Sequence, residues 1–103
     1  MALFVARHEH PADRCPAADP RMGAMLLTHL SADNAAANGV SIQAEAVVDG
    51  AHTLYLIVEA DGKERVERFL APFAQAGSVE VLPASPCEAV VARGGCAGAS
   101  APA

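Results

Sequence analysis

Two apolar runs meet across Asp49-Gly50, Val40 to Val48 before it and His52 to Glu59 after it. An Asp-Gly pair favours the positive backbone angles of a tight hairpin turn, so the runs read as neighbouring antiparallel strands. The second run, His-Thr-Leu-Tyr-Leu-Ile-Val-Glu, is nearly free of polarity on both faces, which makes it a central strand. A central strand needs further strands beside it and a layer over it.

The rest of the chain supplies both. Residues 2 to 10 begin as a buried strand and end in alternating polar residues, with Phe4, Ala6, His8 and His10 on one face. Pro11 ends regular pairing, and a loop with three prolines runs to Pro20. Asp19 caps a helix that opens on Pro20 and ends near Ser31, with Met22, Met25, Leu26, His29 and Leu30 at helical spacing. A short helical segment over 32–38 stops at Gly39. Asp61 and Glu64 have the spacing of a capping box for a second main helix, whose buried stripe is Val66, Phe69, Leu70 and Phe73 and which Pro72 kinks or restarts. Ser78 to Leu82 reads as a fourth strand. Ser85-Pro86-Cys87-Glu88 opens a terminal helix that Gly94-Gly95 ends.

The order strand, helix, strand, strand, helix, strand, with right-handed crossovers, predicts an α+β ferredoxin-like βαββαβ sandwich with a short C-terminal helix. At 103 residues the chain accommodates one domain, assigned to 1–96, with 97–103 as a flexible C-terminal tail. Two helices cover one sheet face. The apolar content on both sides of Leu54 to Val58 calls for a cover on the other, and a second copy of the chain is the economical one.

A net charge of −5, with only seven scattered Lys and Arg, argues against a nonspecific nucleic-acid binder. No apolar run approaches the roughly 20 residues of a membrane span, and the first residues lack an export signal, so cytoplasmic residence is the expectation. Gly-rich phosphate loops and nucleophile elbows are missing too. Cys15, Cys87 and Cys96 are an odd number and read as thiols, ligands or redox groups rather than structural bridges.

Element order, the Asp49-Gly50 hairpin and the strand His52 to Glu59 give residues 2 to 83 a resemblance to the dimeric α/β-barrel superfamily of ferredoxin-like proteins. That superfamily includes stress-response barrels, muconolactone-isomerase-like proteins and monooxygenases that are cofactor-free or degrade haem. The chain is also similar to small uncharacterised bacterial proteins with a His-Glu-His start and a Cys-Pro loop. The resemblance implies a homodimer in which two sheets pair. In this topology the first strand lies between the third and fourth and antiparallel to both, which carries its C-terminal end, and with it His8 and His10, towards His52.

The stretch His8-Glu9-His10-Pro11-Ala12-Asp13-Arg14-Cys15-Pro16 is the chemical signal. Histidines two apart on a strand point to one side, and a loop that doubles back presents Cys15 to the same point. Two imidazoles and a thiolate suit Zn or Cu, with His52 as a further ligand or supporting partner and Cys96 or water as other candidates for the fourth position. The bland reading is a solvated strand end with Cys15-Pro16 anchoring the loop. His29 reads as a hydrogen-bonded residue at the core edge, Cys87 as a thiol at a helix start, Glu45 and Glu59 as solvated carboxylates, and Arg7 as half of a surface ion pair.

The leading functional expectation is a small dimeric metal-binding protein, with His8, His10, Cys15 and His52 at a transition-metal site and redox or Lewis-acid chemistry optional. The alternative is a cofactor-independent oxygenase or isomerase that takes a small apolar molecule as ligand, with His52 or His29 as base. No catalytic residue is assigned.

Overall fold

The computed structural model describes residues 1–97, and the expected tail lies, from residue 98 onward, outside the described residues. Four strands form one antiparallel sheet in the order β2-β3-β1-β4, with β1 Ala2–Glu9, β2 Val40–Val48, β3 Thr53–Ala60 and β4 Ser78–Ala84. The helices are α1 Pro20–His29, α2 Ala32–Ala37, α3 Lys63–Phe69, α4 Ala71–Ala76 and α5 Cys87–Ala92. This is the ferredoxin-like α+β arrangement expected from the element order. β1 sits between β3 and β4 and is antiparallel to both, with Glu9 opposite Thr53 on one side and Ser78 on the other.

Alternation along β1 puts Phe4, Ala6 and His8 on the helix side, and all three are buried. Leu54, Leu56 and Val58 of β3 join them, and Val66, Phe69, Leu70 and Phe73 close the core from above. The other sheet face carries Leu3, Val5, Tyr55, Ile57 and Leu82, which the cross-strand register aligns in rows. Tyr55, Ile57 and Leu82 are exposed there.

A β-bulge interrupts β2. Ile42 lies opposite Val58, but Ala44 lies opposite Ile57, so Gln43 is an extra residue and the facing pattern of the strand inverts after it. As a result Glu45 and Val47, rather than Ala44 and Ala46, face the helix side, opposite Leu56 and Leu54.

Three local expectations change. α3 starts on Gly62 with no side-chain cap, so Asp61 and Glu64 do not form a capping box: the helix begins one residue too late for that spacing. β4 extends through Pro83 to Ala84, which an edge strand tolerates because one side of its backbone needs no ladder donor. α5 has Pro86 rather than Ser85 at its N-cap and Cys87 as its first residue, exposed. The break between α3 and α4 falls where Pro72 required it, in the first turn of α4.

α1 is capped as expected, with the Asp19 carboxylate accepting from the backbone N–H groups of Arg21 and Met22. Its apolar stripe, however, is poorly covered. None of its residues is fully buried, its apolar contact with the core comes through Leu26 and the C-cap Leu30, and Met22 and Met25 are exposed.

Candidate metal centre

The C-terminal end of β1, the loop after it and the β2–β3 turn converge. The backbone N–H of His10 donates to the His52 carbonyl at 3.3 Å, which ties the strand end to the turn. His52 itself has φ of 50°, the left-handed region, and is the one described non-glycine residue there. Between Pro11 and Asp19 the chain folds back through two short 3-10 turns, Ala12–Arg14 and Pro16–Ala18, with Cys15 at the joint.

One donor atom from each of His10, Cys15 and His52 falls within 4.8 Å of the others, and all three residues are half-buried. A tetrahedral ion with bonds of 2.0–2.3 Å holds its donors roughly 3.5 Å apart, so this set need close by only about an ångström.

His8 stands behind the set rather than in it. Its Nδ1 lies 3.0 Å from the Ser78 carbonyl oxygen, which can only accept, so Nδ1–H is the donor and Nε2 of the neutral ring holds the lone pair. His10 Nδ1 is 3.1 Å from that Nε2 and therefore donates to it. This leaves His10 Nε2 with a lone pair, and that nitrogen is buried with no hydrogen-bond partner. A carbonyl thus orients one imidazole, which orients a second, whose remaining nitrogen is free to act. Supporting hydrogen bonds of this kind fix tautomer and ring direction in histidine metal ligands.

Burial pushes the His8 imidazole below the usual histidine range, against the opposing pull of its bond to Ser78. Burial also lowers His10, and the neighbouring His8 and His52 rings reinforce that by disfavouring another positive charge. Both shifts favour the neutral rings near neutral pH, and the hydrogen bonds require it of His8, whose Nε2 accepts.

Packing holds the rings. His8 meets the edge of Phe73 at 5.0 Å between centroids, and His10 meets His52 edge-on at 5.3 Å. Gly77 fixes the other end: a Cβ there would lie 1.9 Å from the Glu9 carbonyl oxygen, so β4 can start against the β1 terminus only because residue 77 has no side chain.

The donors open onto a cavity of about 350 Å³ bounded by Leu26, Leu27, Leu30, Val47, Leu54 and Phe73, with Glu45 and Asp49 also on its lining. Other sequence candidates lie elsewhere or are otherwise engaged. His29 stacks on Phe69 at 4.6 Å, and its Nε2–H donates to the Phe69 carbonyl at 2.7 Å, as expected of a core-edge histidine. Arg7 pairs with Glu9. Cys87 and Cys96 are exposed free thiols. The sequence reading made His8 a direct ligand and left His52 optional, whereas the geometry gathers His10, Cys15 and His52 and sets His8 behind His10. Sequence reasoning also overlooked the orphan nitrogen, whose only sequence signal was the strand alternation that buries His8.

A family model described as Domain of unknown function (DUF3303) matches residues 8–95. No curated protein matches the chain.

Proposed function

We propose, for a chain that belongs to the DUF3303 family, that it is a metal-binding protein whose transition-metal ligands are His10, Cys15 and His52. The observation that carries this reading is the buried, unpartnered Nε2 of His10, in a residue that brings a donor atom within 4.8 Å of a thiol and a second imidazole. An unsatisfied buried nitrogen costs about 1–3 kcal/mol, and a cation removes that cost. Two imidazoles and a thiolate select Zn or Cu over hard cations. His8 acts through His10, holding its tautomer. Three protein ligands leave one coordination position for water or substrate, the arrangement of catalytic rather than structural zinc sites. The protein so read is cytoplasmic and works as a homodimer.

Metal titration of untagged protein tests this. The wild type is expected to take up one Zn or Cu per chain, and His10→Ala, Cys15→Ala and His52→Gly each to weaken uptake by at least tenfold, while His8→Leu weakens it less. Failure of the wild type to bind either ion overturns the reading.

The same orphan nitrogen favours a second reading, in which a metal-free His10 takes a proton from an organic substrate held in the cavity. Turnover that survives chelation and Cys15→Ala but not His10→Ala would select it.

A further inference from the structure

α1 has no fully buried residue, and two adjoining cavities are lined by its side chains. The first is the cavity of about 350 Å³ at the metal centre. The second, about 260 Å³, runs between α1 and α4 past Met22, Met25, Pro72 and Ala76. His8, Pro16, Leu26 and Phe73 wall both lobes. His8 and Phe73 are buried, whereas Leu26 belongs to a helix in which no residue is fully buried, so Leu26 is the part of the partition held least firmly.

We propose that this two-lobed chamber takes a small amphiphile, an anionic head such as a carboxylate at the centre formed by His10, Cys15 and His52 and an unbranched apolar tail running under α1 into the second lobe. The proposal rests on the metal-binding reading above. A divalent ion, one thiolate and two neutral imidazoles make the set of ligands +1, which a carboxylate bound directly to the ion neutralises even with Glu45 and Asp49 on the lining. Without the ion the preference disappears, because Glu45 and Asp49 on the lining oppose a free anion. Beyond the head, the second lobe is mostly apolar, with His8 and His29 as its polar side chains, and suits methylene groups. The arrangement of the lobes in series favours a chain over a compact ring.

Zinc-loaded, untagged protein titrated with butanoate, hexanoate and octanoate tests the tail, and octan-1-ol tests the head. Affinity is expected to rise about fourfold per added methylene, and octanoate to outbind octan-1-ol only when zinc is present. Ala76→Phe, or Met22→Trp should the first variant fail to fold, is expected to remove the gain of octanoate over hexanoate. Affinity independent of chain length, or octan-1-ol binding zinc-loaded protein as well as octanoate does, overturns the proposal. Absence of metal uptake registers separately in the zinc titration. In that case a chain-length dependence without head-group preference refutes the anionic head, and no binding at all refutes the chamber.

Discussion

His52 occupies a backbone conformation that few side chains favour, at φ of 50° in the turn between β2 and β3. The left-handed region costs an ordinary residue about 1–2 kcal/mol, and glycine escapes that cost while losing about 0.5–1 kcal/mol through its freer unfolded chain. His52→Gly is therefore expected to leave the metal-free protein between unchanged and about 1.5 kcal/mol more stable than wild type in denaturant unfolding, while metal affinity falls. His52→Val, β-branched where φ is positive, should lose stability as well. The imidazoles behind the centre make a second prediction. Because His8 and His10 titrate below the ordinary histidine value in the folded protein, the unfolded chain binds more protons on the acid side. Stability of the metal-free protein should therefore be fully present above about pH 6.5 and fall as the pH drops through the lowered folded values. The denaturation midpoint measured from neutral to acid pH checks this, and His8→Leu should flatten the fall. None of this was readable from residue identity: His-x-His promised two parallel ligands, but the first imidazole is turned to the Ser78 carbonyl, a group 70 positions away.

At the level of elements, what was legible followed from periodicity. The limits of β2, the central place of β3, the Asp19 cap and the break at Pro72 all come from local pattern or turn chemistry, which the fold keeps. The bulge at Gln43 was not legible, because an extra residue in an exposed strand leaves the alternation plausible in either phase. That bulge is what points Glu45 and Val47 into the cavity. Helix α1 illustrates the opposite error. Its spacing of Met22, Met25 and Leu26 looks like a core stripe, yet tertiary packing leaves it over a chamber. Amide hydrogen exchange should show the difference: α1 is expected to exchange well before β3 and α3, whose residues carry the core, and bound metal together with an amphiphile should slow α1 most. Equal protection of α1 and α3 in the free protein would contradict the chamber.

The whole molecule measures 46 × 29 × 20 Å, thin along one axis because a single helix layer lies on a single sheet. Its accessible surface of 6776 Å² exceeds the roughly 5,400 Å² of a compact monomer of this mass. The outer sheet face, with Val5 opposite both Ile57 and Leu82, contributes to that surplus. We propose a second copy of the chain as its cover, sheet against sheet. Light scattering should then report a dimer for wild type and a monomer for Ile57→Glu and Leu82→Lys, with metal uptake retained because the donors lie on the helix side. A wild-type monomer at working concentration would remove the second copy.

Gly77 joins these scales. Its bare backbone presses on the Glu9 peptide while the next residue, Ser78, holds the His8 ring, so the rim of the sheet reaches His10 through one intervening imidazole. β4 is an edge strand. Of the sheet's two borders, it is therefore β4 whose first residue steadies the imidazole pair.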